Sequence, residues 1–248
     1  MDALPPIVLV HGSWFGGWCW RRVEDRLRPQ GFKVFSPTMT GVGERSHLLT
    51  SGITLETWIT DIVQVLEAEE LRDVVLVGHS FGGRVVTGVT DRVSDRIRSV
   101  VFLDAALAQS GQSLMDQLGP EERAKRLASS EPSGKLSLPP PSALHFGVLN
   151  PEDQAWVDRR VTPQPLGTNT TALNYREPIG AGRPVTFVEF TNPSFPVSAR
   201  AAAFARSNPS WSVVTVPTGH CGMITAPDEI TEIIAQSSPC AGPAVHAM

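Results

Sequence analysis

Twice the sequence runs an unbroken aliphatic stretch straight into a glycine-bearing turn: Ile7-Val8-Leu9-Val10 into His11-Gly12-Ser13, and Val74-Val75-Leu76-Val77 into Gly78-His79-Ser80-Phe81-Gly82-Gly83. A strand without polar alternation has both faces covered, as in a parallel sheet flanked by helices. Thr54 to Glu67 supplies such a helix, because Leu55, Trp58, Ile59, Ile62, Val63 and Leu66 recur at helical spacing. Trp18 to Leu27 and Arg84 to about Thr90 are predicted as further helices. Lys33 to Ser36 reads as a short strand, Pro37 to Leu49 as a loop, and Ile97 to Leu103 as a strand with Asp104 at its C-terminal end. Alternating strand and helix units predict an α/β fold, a mostly parallel twisted sheet with helices on both faces.

The alternation breaks over residues 106–183, which hold helix candidates at Glu121 to Leu127 and Pro151 to Arg160 and a turn-rich segment, Ser129 to Ser142, containing Pro139-Pro140-Pro141. So long a connection without a strand reads as an inserted cap or lid. The strand pattern resumes at Val185 to Phe190 and Ser212 to Val216, and Asp228 to Gln236 suits a closing helix. The expected organisation is a core of 1–105 and 184–236, a cap of 106–183 and a flexible tail of 237–248. At roughly 150 residues per domain, a single α/β core with this insertion accounts for 248 residues.

Composition removes several function classes. Lys plus Arg is 21 against 25 for Asp plus Glu, a net charge of −4, so nothing draws the chain to nucleic acid or anionic lipid, and neither is expected as a partner. Hydrophobic residues at 41% and charged residues at 19% support a packed core over disorder. No apolar run approaches the ~18 residues a membrane span needs. The N-terminal stretch, with Asp2 and two prolines, fails as a secretion signal. Three widely spaced cysteines, Cys19, Cys221 and Cys240, suit a reducing compartment, and the expected location is cytoplasmic. The oligomeric state is not readable.

Gly78-x-Ser80-x-Gly82 fits a nucleophile elbow, a tight strand-to-helix turn that presents a serine, and its required strand and helix flank it here. The plain alternative is a serine in a phosphate loop, but no Gly-Lys-Ser/Thr follows. A serine hydroxyl needs a general base within hydrogen-bond reach. His220, in Thr218-Gly219-His220-Cys221-Gly222 after the last predicted strand, is the expected base. His79 sits inside the elbow, His11 is expected to shape the first turn, and His47, His145 and His246 read as loop or tail residues. The backbone N–H groups of Phe81 and Ser13 are the candidate oxyanion donors. Trp14, Phe15, Leu144, Phe146 and Trp156 are candidate substrate-lining residues, whereas Trp18 and Trp20 read as core. No His/Cys/Asp cluster has metal-ligand spacing, so no metal is expected.

His11 to Trp20, Gly78 to Gly83 and Gly219-His220 together resemble the α/β-hydrolase superfamily, and within it the small esterases that include plant methyl-ester hydrolases, salicylate-binding protein, hydroxynitrile lyases and bacterial carboxylesterases. The resemblance implies a cofactor-free serine hydrolase. It also implies a triad acid in the loop after Val185 to Phe190, about 28 residues before the histidine, where this chain has Asn192 and no carboxylate. Three residues compete for the role: Asp104, placed as in some other α/β-hydrolases and preferred; Asn192, which can orient a histidine without offsetting its charge; and Glu189, within the strand itself. A helix cap or turn is the plain reading of Asp104.

The expected activity is hydrolysis of a small, fairly apolar ester or lactone through an acyl-enzyme. The alternatives are a hydroxynitrile-lyase-like C–C lyase and a non-catalytic small-molecule-binding protein on the same fold. The lyases it resembles carry a threonine after the first histidine and a lysine after the last, where this chain has Gly12 and Cys221.

Overall fold

The computed structural model describes residues 3–196 and 198–238. Six strands form one sheet: β1 (Ile7–Val10), β2 (Val34–Phe35), β3 (Val74–His79), β4 (Ile97–Leu103), and the two that follow the long connection, β7 (Val185–Phe190) and β8 (Trp211–Val216). Their order is β2-β1-β3-β4-β7-β8 and every recorded pairing is parallel. The aliphatic runs that predicted two-sided burial deliver it, since each residue of β1 and β3 is buried.

Three helices cross between the first four strands: α1 (Arg21–Leu27), α2 (Leu55–Ala68) and α3 (Gly82–Val93). In α2 the periodic residues Leu55, Trp58, Ile59, Ile62 and Leu66 are the buried ones, and Thr54 N–H donates to Thr57 Oγ1 at its start. The predicted Trp18 to Leu27 helix divides into a 3-10 turn over Gly17–Trp20 and α1. A 3-10 stretch also occupies Gly43–Leu48, within the expected loop.

Apolar clusters fill both faces of the sheet: Val8, Val10, Leu76 and Phe102 point to one and Ile7, Leu9, Val77 and Leu103 to the other, as a two-residue side-chain period requires. Truncating a residue such as Leu76 to Ala costs about 2–5 kcal/mol.

Between β4 and β7 come α4 (Pro120–Ala128), β5 (Ser137–Leu138), α5 (Pro151–Asp158), β6 (Gln164–Pro165) and α6 (Leu166–Thr170), with β5 and β6 paired antiparallel. This connection is tied to the turn after β1: Trp14 Nε1–H donates to Leu138 O, and Thr162 N–H donates to Trp14 O. Beyond β7 lies α7 (Ala199–Ser207), which the sequence reading left unassigned. After β8 come α8 (Gly222–Thr225) and α9 (Pro227–Gln236). Of the expected tail, residues 239–248 lie outside the described ones. Ser237 accepts a hydrogen bond from Ser99 Oγ through its carbonyl, and Ser238 is buried.

The chain reverses its direction of travel across the sheet between β1 and β3, where open parallel sheets open a crevice at the strands' C-terminal ends. The turns carrying Ser13 and Ser80 meet there.

Candidate active site

Ser80 follows β3 with φ +52°, in the left-handed region that a residue with a side chain occupies at some cost. The turn is held on both sides: Ser80 N–H donates to Leu103 O at 3.1 Å, and its carbonyl accepts from Ala106 N–H at 2.8 Å. A side chain at Gly82 would begin 2.7 Å from the carbonyl oxygens of Val10 and His11, so only glycine lets α3 start this close to β1.

Asp104 caps β4 in the same left-handed region, φ +43°, with its N–H on Val188 O at 2.7 Å. Its side chain is therefore turned by the backbone rather than spent on capping a helix. His220 comes from the loop between β8 and α8 and is 3% exposed. Its Nδ1–H donates to Asp104 Oδ2 at 2.5 Å, and its Nε2 accepts from Ser80 Oγ–H at 2.8 Å. That pairing fixes the tautomer, with the lone pair of Nε2 facing the serine. The second Asp104 oxygen, Oδ1, is buried with no hydrogen-bond partner among the described residues, so His220 is the side chain that carboxylate engages.

Asn192 and Glu189 are elsewhere. Asn192 is exposed on the loop after β7, where its N–H donates to Thr218 O. Glu189 forms an ion pair with Arg206 of α7 and, among the described residues, makes no hydrogen bond or ion pair with the imidazole.

Two other histidines brace the site without titrating near neutrality. His79 Nε2–H donates to the His220 carbonyl at 2.7 Å; burial first, and then the nearby His220, hold its pKa well below the ordinary value. His11 Nδ1–H donates to Gly12 O and its Nε2 accepts from Met39 N–H, and burial lowers its pKa to about 4.

The turn after β1 lies against the nucleophile: a Cβ at Gly12 would stand 2.8 Å from Ser80 Cβ. The Ser13 and Phe81 N–H groups make no hydrogen bond to another group of the protein among the described residues. A polar backbone group in such surroundings is available to a ligand oxygen.

Of the candidate lining residues, Phe146 lies nearly parallel to His220 with ring centroids 6.3 Å apart, and Trp14 and Phe15 pack against Phe146 at 5.8 and 5.3 Å. Phe15 is also edge-on to His79 and fully in the core. The structure does not bring Leu144 or Trp156 to this cluster. Leu144 is 59% exposed, and Trp156 packs on Trp18 with the guanidinium groups of Arg22 and Arg160 at 5.6 and 4.8 Å from its ring. The sequence reading missed Phe195, whose ring stacks on His220 at 3.9 Å and 21°. Its one signal was an aromatic residue in the loop where a carboxylate was sought. Among the described residues no group of three His, Cys, Asp or Glu side chains is placed to hold a metal ion, and no helix is long and apolar enough to cross a membrane.

Comparison with known proteins agrees with this architecture. A model of the alpha/beta hydrolase family matches residues 7–233. A carbendazim hydrolyzing esterase from Nocardioides sp. (strain SG-4G) is 41% identical over 92% of this chain and 97% of its own. Two solved structures share the fold: an extracellular alpha/beta-hydrolase from a Paenibacillus species, with TM-score 0.80 at 22% identity over 95% of this chain and 100% of that one, and a methylesterase from Arabidopsis, with TM-score 0.70 at 21% identity over 94% and 98%. With a family match that runs from β1 almost to the end of α9, this chain belongs to the alpha/beta hydrolase family.

Proposed function

We propose that this protein is a serine carboxylesterase that hydrolyses small, fairly apolar esters or lactones through an acyl-enzyme. The observation that carries the reading is the pair of hydrogen bonds on His220, 2.8 Å to Ser80 Oγ and 2.5 Å to Asp104 Oδ2. In this reading Ser80 Oγ attacks the ester carbonyl carbon as its proton passes to His220 Nε2. Asp104 offsets the charge of the imidazolium so formed. The carbonyl oxygen, now an oxyanion, accepts from the Phe81 and Ser13 N–H groups, each such donor being worth about 3–4 kcal/mol in the transition state. Collapse of the tetrahedral species expels the alcohol, which takes the proton from Nε2. Water, deprotonated by the same nitrogen, then attacks the acyl carbon and returns Ser80 and the acid.

Trp14 and Phe146, with Phe15 packed behind them, give the acyl or aryl group an apolar wall beside the nucleophile. Such walls discriminate weakly, a methylene being worth about 1–3 kcal/mol. Because the 41% identical relative is named for carbendazim, carbendazim is the first compound to test beside simple aryl esters. The 106–183 segment would act as the cap over this cleft, and the buried free thiols of Cys19 and Cys221 suit a reducing compartment.

The lyase alternative has less support. A threonine side chain at position 12 would begin 2.8 Å from Ser80 Cβ, and the position after His220 is a buried cysteine. A fluorophosphonate probe and a p-nitrophenyl ester test the reading together. Labelling of Ser80 with turnover that Ser80→Ala abolishes is the expected result; unlabelled Ser80, or release of cyanide from a cyanohydrin without ester turnover, would refute it.

A further inference from the structure

A cavity of about 310 Å³ lies apart from the site described above, with none of Ser80, His220 and Asp104 in its lining. It is bounded by Leu107, Gln112 and Gln117 beyond β4, by Tyr175 ahead of β7, and by Arg200 and Phe204 of α7. Its volume is that of a small ligand site, such sites running from roughly 300 Å³ upward. The walls are largely apolar, and Phe204 is 43% exposed at its edge.

The charge around this cavity is one-sided. Its lining contains no carboxylate. Arg200 is exposed and makes no ion pair or hydrogen bond among the described residues. Behind the wall, Arg84 is fully buried, and its guanidinium is held by two residues that line the cavity: Nη1 donates to Gln117 Oε1 at 2.9 Å and Nη2 to Gln112 O at 2.5 Å. Both acceptors are neutral, and Arg84 Nε has no hydrogen-bond partner among the described residues. Asp116, a carboxylate whose charge acts on Arg84, is also engaged by Ser113 and Arg123. Burial lowers the Arg84 pKa only to about 10, so the group is cationic at neutral pH. A buried cation normally has an anion beside it.

We infer that this cavity binds a small aromatic or alicyclic carboxylate, its ring between Leu107, Tyr175 and Phe204 and its carboxylate at the Arg200 end, within the field of Arg84. The ligand adds an anion beside a cation whose own carboxylate neighbour, Asp116, is exposed and shared with Arg123. The inference does not depend on which residues perform hydrolysis, but the acids that ester hydrolysis releases belong to this ligand class. Arg84, in the first turn of α3, holds its guanidinium 6.0 Å from the Phe81 ring centroid.

Calorimetric titration of the full chain with benzoate and with benzamide tests this. Benzoate is expected to bind at least about tenfold more tightly than benzamide, the worth of a charge-assisted hydrogen bond. Arg200→Glu and Phe204→Ala, both at exposed positions of α7, should each weaken benzoate about threefold or more while leaving p-nitrophenyl ester turnover unchanged. Benzoate should also leave the ester's KM unchanged. Absence of benzoate binding, equal affinity for benzamide, or affinity that neither substitution alters would overturn the inference. So would strictly competitive inhibition of ester turnover, which would put benzoate beside Ser80 instead.

Discussion

The ring of Phe195 lies almost parallel to the imidazole of His220, with centroids 3.9 Å apart. Its loop is the one that the resemblance expected to hold a carboxylate, and in place of charge it brings the face of a phenyl group. A ring face attracts a cation, so it favours the imidazolium that forms during proton transfer by about 0.5–2 kcal/mol. Phe195→Leu keeps an apolar cover and removes the quadrupole. We expect kcat to fall about twofold to thirtyfold, with Phe195→Tyr near wild type. Equal kcat values for the Leu and Tyr variants in steady-state assays would show that the ring is only a spacer.

Asp104→Asn should lower kcat about ten-thousandfold with little change in KM, because the amide leaves the His220 charge without its counterpart. Asn192→Ala and Glu189→Gln should stay within about twofold of wild type, neither side chain reaching the imidazole. Parallel kinetics of the three variants, with circular dichroism to check folding, decide the assignment. Collapse of activity in Asn192→Ala alone would reverse it.

Gly12→Ala places a methyl 2.8 Å from Ser80 Cβ and 3.0 Å from His79 Nδ1. Both neighbours belong to a turn held by backbone hydrogen bonds to Leu103 and Ala106, so the new methyl has to displace the nucleophile or the turn that carries Ser13. A displacement near 1 Å costs about a hundredfold in rate. Slower fluorophosphonate labelling of Ser80 is the direct readout, and labelling at the wild-type rate would contradict the packing described.

Acid stability should reflect His11, whose folded pKa of about 4 lies below the unfolded value of 6.5. Between those values the unfolded chain binds a proton that the folded one does not, so stability falls as pH drops from 6.5 toward 4. The loss is on the order of 3 kcal/mol for a fully buried imidazole. His79, depressed by the same cause, adds to it in the same direction. Urea midpoints at pH 7 and pH 5 measure the slope, and His11→Gln should flatten it. An unchanged slope would mean that His11 is not excluded from protonation.

Much of the scaffold could be read in advance because it depends on local signals. The limits of β4 and β7 follow from their aliphatic runs, and the glycines around Ser80 announce a tight turn. The acid was harder, since Asp104 and His220 are 116 positions apart and nothing in either segment refers to the other. Helix α7 went unseen because its alanines and arginines carry no apolar stripe of the usual strength; Ala201, Ala202 and Ala205 bury small faces. Phe195 was missed because one ring in a proline-bearing loop has no period. Leu144 and Trp156 misled for the opposite reason: both are large and apolar in the insertion, yet one faces solvent and the other packs against Trp18 and two arginines.

Ser80 and Asp104 stand at the ends of neighbouring strands, each in a left-handed turn, and Ser80 is bonded to Leu103 and Ala106 on either side of the aspartate. The attacking group and the fixed negative charge thus form one rigid block. Residues 191–196, relieved of any duty to carry that charge, bring the Phe195 ring to the imidazole instead, so a change in that loop would alter how the base is covered while the nucleophile and the carboxylate keep their places on the sheet.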